Sequence, residues 1–433
     1  MSSPRAYFEK LETDVLAAMC KPSKWYLLAL GVSATCFLVG MSLWGYQMLF
    51  GMGVAGIRHP VGWGVYITDF VFWVGIAHSG TLISAVLFLF RAKFRSRFNR
   101  SAEAMTIFAV MTAGLFPLIH LGRSWFAYWL FPYPNQRELW VNFRSPLIWD
   151  VFAVSTYLTV SAVFFFVGLV PDLAVVRRHA TGIRKKLYSA FSLGWVGSAK
   201  QWIHYNRLYV FLAALATPLV ISVHSVVSWD FAMSIVPGWH TTIFAPYFVA
   251  GAIFSGTAMV LTLMIPMRKI MRLEDHISID HFESLAKILL FTSLIVAYAY
   301  GVEFALAFYS GHTFEIAHFS YRLLGDYWFL YAVMVFCNVL LPLTLFVKKL
   351  RRSIPFLFVM SIFVNVGMWL ERFVIIVTSL AKEYDPYSWG TYTPSMVEVG
   401  ITIGSFGLFF TLFLLFTKVL PVLAITEVKE TAL

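Results

Sequence analysis

Cysteine is nearly absent. Cys20, Cys36 and Cys337 stand far apart, with no C-x-x-C and no C-x-x-C-H, so the chain offers no thiolate set for an iron–sulfur cluster or a c-type haem. Charge is scarce as well: 13% of the 433 residues are Asp, Glu, Lys or Arg, whereas 59% are hydrophobic and 18% aromatic, a balance that excludes a soluble globular domain. The apolar runs are too long and too rarely alternating for a transmembrane barrel. No short hydrophobic stretch with a small-residue cleavage site precedes the first run, so no removable signal peptide is expected, and the first span doubles as the insertion signal.

What is there is apolar sequence in membrane-length pieces. A hydrocarbon core about 30 Å thick needs roughly 20 apolar residues per helix. Ten segments qualify: 25–50, 62–90, 104–123, 147–170, 208–229, 243–267, 285–306, 327–347, 354–380 and 396–424. The expectation is an all-α integral membrane protein with an amphipathic segment 1–24 before the first span. Twenty-five Lys and Arg fall in the tails and loops on one side of such a topology and six on the other. That bias predicts that both termini are cytoplasmic. It also accounts for most of the formal net charge of +11, with no need for a nucleic-acid partner.

Shifting the sequence by 176 residues lays GWGVYITDFVFWVGIAHSGT (62–81) on GWHTTIFAPYFVAGAIFSGT (238–257). Both copies open a span from the same side, so the repeat is parallel, and spans 2–5 and 6–9 are expected to form two four-helix bundles. The domain boundaries that follow are 1–24, 25–61 (first span and loop), 62–230 (first bundle), 231–380 (second bundle) and 381–433 (loop, last span and tail). Gly75-x-x-x-Ser79 and Gly251-x-x-x-Ser255 are small-residue patterns that let helices approach closely. Asp69 and His78 of the first copy fall on Ala245 and Phe254 of the second, so chemistry is expected mainly in the first bundle.

An ionisable side chain within a span is costly and normally faces a partner or a cavity. His120 closes the third span and Asp150 opens the fourth, at matching depth, with only residues 124–146 between them. Pro117 removes a backbone donor just before His120 and is expected to open a pocket there. A histidine beside a carboxylate suits proton acceptance from a bound hydroxyl. Glu371 and Arg372 lie in the ninth span, expected to point in different directions, with Arg372 free to neutralise Asp150. Asp69, His78, Glu103, His224, Asp230, Glu303 and Glu371 are candidates for a proton relay. Arg123 reads as an interfacial anchor or a ligand contact. His78, His120 and His224 each stand alone on their spans, which argues against paired-histidine haem ligation.

The runs RSAEAMTIFAVMTAGLFPLIHLGRSW, FRSPLIWDVFAVSTY, ATPLVISVHSVVSWDFAMSIVPGWHTTIFAPYFVAGAIFSG and MWLERFVIIV resemble the NrfD/polysulfide-reductase-type quinone-interacting membrane subunits, most closely the larger such subunit of bacterial alternative complex III. The resemblance covers spans 2–9. It implies a subunit of the bacterial inner membrane, without haem, iron–sulfur cluster or metal of its own. Such a subunit oxidises quinol, menaquinol or ubiquinol, near the periplasmic face. It passes electrons to an iron–sulfur partner and works with cytochrome c subunits, a paralogous membrane subunit and lipids. It further implies a quinol site of His120, Asp150 and Arg372, with Arg123 and Tyr157 beside them, and proton release or translocation. The alternatives are the quinone-reactive anchor of a molybdoenzyme, a proton-coupled transporter and a purely structural anchor. Reporter fusions at Lys348 and Trp389 test the topology: cytoplasmic and periplasmic signals respectively are expected, and the reverse result overturns the orientation.

Overall fold

The computed structural model describes residues 4–20, 22–131 and 143–432. Residues 132–142, inside the loop expected to join His120 to Asp150, lie outside them. Every long element is helical, as apolar sequence in a bilayer requires, because each backbone polar group must be satisfied within the segment. Among the described residues ten helices are long and apolar enough to cross a membrane. They are Lys24–Phe50, Val65–Leu89, Asn99–His120, Pro146–His179, Ala199–Ala232, Phe244–Ile270, Ile279–Ser310, Trp328–Phe346, Ile354–Ala381 and Met396–Val419, called here the first to tenth spans. Several starts are capped in sequence. Ser198 with Gln201, and Ser395 with Glu398, form capping boxes at the fifth and tenth spans. The third span runs unbroken through Pro117 to His120. The second and eighth spans each contain a wide π turn, at Leu82–Val86 and Phe336–Leu340.

Close approach of small residues sets the packing. The second and sixth spans lie at the centre, 83% and 78% buried over their most apolar stretches. Gly75 rests against Ser255 and Ala252, and Gly256 against Ser79 and Ile76, so the two copies of the repeat meet through the residues that match. Gly80 lies against Thr106 and the backbone of Ala102, and Thr106 Oγ1 donates to the Ala77 carbonyl at 2.7 Å, locking the second span to the third. At the periphery the first span crosses the tenth where Gly40 meets Gly404. Only 6% of the first span's apolar stretch is buried.

Both termini lie on one face. There the N-terminal helix Pro4–Cys20 joins the C-terminal helix Ile425–Ala432 through Glu12 and Lys429, and joins the 271–278 turn through Lys10 and Asp275 (2.5 Å) and through Asp14 and His276 (2.9 Å). The Lys10–Asp275 contact holds the Lys10 amine above and the Asp275 carboxyl below its ordinary range, by hydrogen bond and charge. The opposite, distal face carries the 51–64, 233–243, 311–327 and 382–395 connections, joined by bonds such as Tyr392 N to Tyr327 Oη (2.7 Å).

A side chain added at Gly80 would meet Thr106 Oγ1 at 1.9 Å and the Ala102 carbonyl at 2.2 Å, whereas one at Gly301, in the seventh span, meets nothing within 4 Å. Gly80→Ala is therefore expected to lose about 1–3 kcal/mol to overpacking. Gly301→Ala should be neutral or gain up to about 1 kcal/mol of helix propensity. Thermal unfolding of the detergent-solubilised chain compares the two.

Candidate functional site

Many of the described ionisable residues within the spans gather in three groups at three depths. The central group lies where the second, fifth, sixth and ninth spans meet. The imidazoles of His78 and His224 stand 4.6 Å apart between centroids, at 59°. Rings this close leave no room for a porphyrin between them. His78 Nδ1 donates to the Val74 carbonyl at 2.8 Å, and both nitrogens of His224 are buried without a hydrogen-bond partner. Arg372 arrives from the ninth span with its guanidinium 4.2 Å above the Phe248 ring, which in turn lies 5.7 Å from His224.

The two repeat glycines make this meeting possible. A Cβ at Gly75 would sit 3.7 Å from the His224 ring, and one at Gly251 3.0 Å from Arg372 Nη2. The fifth-span histidine and the ninth-span arginine thus occupy corresponding places against the two copies of the repeat.

Two expectations are corrected here. Glu371 and Arg372 do not diverge: Arg372 Nη1 and Glu371 Oε1 form an ion pair at 2.9 Å. Neighbouring helical residues point about 100° apart, but the long arginine folds back through the space left by Gly251. Arg372 is therefore committed to Glu371 and the central group rather than to Asp150. Glu371 also accepts from Tyr300 Oη, which accepts from Asn338 Nδ2 at 2.9 Å across the eighth-span π turn. Tyr157 adjoins the centre from the other side, its ring 5.6 Å from His78. Its hydroxyl donates to the Ala77 carbonyl (2.9 Å) and lies 2.8 Å from Thr81 Oγ1.

The second group lies near the distal face. Asp150 faces Asp230 of the fifth span, carboxyl to carboxyl, and Trp149 meets Trp229 edge to face at 5.9 Å, so the two spans are in register there. The second correction is that among the described residues no hydrogen bond or ion pair joins Asp150 to His120. The fourth span packs more extensively on the fifth than on the third, which turns Asp150 away from the expected partner. His120 Nδ1, Asp150 Oδ1 and Asp230 Oδ1 are all buried without a hydrogen-bond partner. The end of the third span is pinned by Gln47, whose Nε2 donates to the Ile119 carbonyl at 3.1 Å. The cavity beside it, lined by Trp44, Phe116, Ile119 and Ile401, holds about 30 Å³. Arg123 is exposed.

A wider opening on the same face, about 410 Å³, runs between His240, His312 and Glu315 down to buried Glu303. Glu303 Oε1 stands 4.0 Å from Arg322 Nη1. Asp69 is fully engaged, accepting from Trp369 Nε1 (2.7 Å) and Thr402 Oγ1 (2.6 Å). It ties the second, ninth and tenth spans together.

The third group lies toward the terminus-bearing face, and little of it is visible in the sequence. Arg100 bridges Glu103 (2.8 Å) and Asp172 (2.9 Å). Asp172 accepts from Thr426 N and Oγ1, and Tyr209 Oη donates to Glu427 at 3.0 Å and lies 3.4 Å from Glu103, while Glu427 pairs with Arg95 at 2.7 Å. Of this network the sequence singles out only Glu103, because acids contributed by the fourth span and the C-terminal helix carry no local signature of it. No group of three or more His, Cys, Asp or Glu among the described residues is arranged to hold a metal ion.

Comparison with known proteins gives this arrangement a family. The chain is 27% identical over 399 residues to a protein described as a dimethyl sulfoxide reductase membrane subunit from Halobacterium salinarum, covering 87% of this chain and 86% of that one. It is 21% identical over 395 residues to a selenate reductase subunit from Mesobacillus selenatarsenatis, covering 86% and 88%. It is also 21% identical over 447 residues to the Hdr-like menaquinol oxidoreductase integral membrane subunit of Archaeoglobus fulgidus, covering 98% and 99%. The family model described as polysulphide reductase, NrfD, matches residues 53–382, the second to ninth spans, and the chain belongs to that family.

Proposed function

We propose that this protein is the quinone-reactive membrane subunit of a respiratory quinol:electron-acceptor oxidoreductase, of the alternative complex III type. The observation that carries the proposal is the set of buried, unpartnered polar atoms at one depth near the distal face: His120 Nδ1, Asp150 Oδ1 and Asp230 Oδ1. Such atoms cost free energy unless something bonds to them, and the two hydroxyls of a quinol are donors of the right kind. The apolar cavity beside the third span, at about 30 Å³, is far below a typical ligand pocket, so a quinol ring enters only as side chains move aside.

In this reading quinol loses two electrons and two protons. The electrons leave by tunnelling to an iron–sulfur partner docked on the distal, periplasmic face, with cytochrome c subunits and a paralogous membrane subunit in the same assembly. His120 accepts one proton on its unpartnered nitrogen, and the Asp150–Asp230 pair accepts the other between two carboxyls. Release at this depth is to the outside. Arg372 and Tyr157 act from the central group, where His78, His224 and Glu371 would carry protons deeper. Glu303 and Glu103 lie on either side as relay positions toward the two faces. Menaquinol is favoured as substrate by the name of the Archaeoglobus relative, which spans nearly the same length.

A second reading is the quinone-reactive anchor of a terminal reductase, favoured by the relatives described as dimethyl sulfoxide and selenate reductase subunits. The two differ in the partner that receives the electrons, and mass spectrometry of the natively isolated complex separates them.

The site is tested by His120→Ala, Asp150→Asn, Asp230→Asn and Arg372→Lys in the assembled complex, with quinol turnover and complex yield measured together. The first three are each expected to lose turnover by about 10²–10⁴-fold with yield intact. Arg372→Lys, which gives up the planar fork, should lower yield as well as rate. Near-normal turnover in a well-assembled His120→Ala, Asp150→Asn double variant overturns the site.

A further inference from the structure

The connection between the fourth and fifth spans carries chemistry that the redox role leaves unused. From residue 173 to residue 207 it contains seven Lys and Arg and no Asp or Glu. Within it the helix Gly182–Phe191 has two distinct sides. Ile183, Leu187 and Phe191, one turn apart, share a face and are 76%, 52% and 54% exposed. Tyr188 points inward, its hydroxyl donating to the Val419 carbonyl at 2.7 Å. Arg177 fastens the chain beyond the helix, donating from Nη1 to Ser192 Oγ (2.8 Å) and from Nη2 to the Trp195 carbonyl (2.5 Å).

The position of this helix along the membrane normal follows from one contact. The Phe191 ring meets Phe166 edge to face at 6.3 Å, and Phe166 belongs to the apolar part of the fourth span. The helix therefore folds back along that span, setting its apolar face against the acyl chains while Arg184, Lys185 and Lys186 stand at the headgroup level. Beside it a cavity of about 400 Å³ opens between the end of the fourth span, Trp195, Trp202 and the C-terminal helix. Arg178 lines it, as do Lys429 and Glu12, which pair with each other, and Glu430.

We propose that this segment is a binding site for anionic phospholipid. The acyl chains lie on Ile183, Leu187 and Phe191, and the phosphate is held by Arg178 and the Arg184–Lys186 run. The segment itself is purely basic, with no carboxylate between residues 172 and 230, and of the two carboxylates that line the cavity beside it Glu12 is paired with Lys429. A guanidinium matches a phosphate with two parallel hydrogen bonds, and each basic residue near a membrane surface adds attraction to anionic headgroups. The indoles of Trp195 and Trp202 suit the same polar–apolar boundary.

The probes are phosphatidylglycerol and phosphatidylcholine, added to the delipidated full chain in neutral detergent and counted by native mass spectrometry. Phosphatidylglycerol is expected to bind about tenfold or more tightly than phosphatidylcholine at low salt, a preference that weakens at high salt. Arg184→Gln/Lys185→Gln/Lys186→Gln, all on an exposed helix, should abolish the preference, and Lys348→Gln/Lys349→Gln on another loop of the same face should keep it. Equal binding of the two lipids, an unchanged preference in the triple variant, or the same loss in the control overturns the proposal. So does displacement by inorganic phosphate, which would mark a site for free anions. The salt and headgroup comparison needs only the unaltered chain.

Discussion

The crossing of the second and sixth spans governs the rest of the molecule. Gly75 and Ser79 meet Ala252, Ser255 and Gly256 with almost nothing between the backbones. In a bilayer, apolar side chains gain little by leaving lipid for protein, so van der Waals contact at close approach is what favours association. The same small residues leave gaps beside the crossing, and the fifth and ninth spans fill these with His224 and Arg372. A Cβ at Gly251 would stand 3.0 Å from Arg372 Nη2, so a larger residue there would crowd the guanidinium. The packing that joins the two copies is therefore also what creates room for polar groups in the centre.

Charge is distributed according to how it can be compensated. Toward the terminus-bearing face two guanidiniums, Arg95 and Arg100, pair with three carboxyls, Glu103, Asp172 and Glu427, in a network completed by the C-terminal helix. In the centre the ion pair of Glu371 with Arg372 is surrounded by hydrogen-bonding side chains: Tyr300, Asn338, Tyr157 and two histidines. Near the distal face the carboxyls of Asp150 and Asp230 face each other, and each keeps a buried oxygen with no hydrogen-bond partner. This distribution leaves Asp150 and Asp230 without a cation at ion-pair distance among the described residues, where a hydroxyl-bearing ligand would meet their unpartnered oxygens. It also leaves polar side chains at every depth between the two faces.

The periphery follows a different logic. The first and tenth spans associate through Gly40, Gly404 and Gly407 and shield one flank. Most of the first span's apolar surface remains outward. Asp69 reaches across to Thr402 and Trp369, so this carboxylate ties three spans together.

Ten spans, the all-α class and the family were legible in the amino-acid sequence, because the length of apolar runs and the motifs along single helices are local properties. The central place of the matching glycines was foreshadowed by the 176-residue repeat for the same reason. Which polar groups touch was not. Asp150 chose Asp230 over His120, and Arg372 folded back onto Glu371. Arg100 recruited Asp172 and, through the surrounding network, Glu427 from the far end of the chain. Depth can be counted along one helix, but the rotation of each helix about its axis is set by its neighbours. A side chain pointing about 100° to either side meets a different span. That angle, decided only by tertiary packing, separates a list of buried charges from a site.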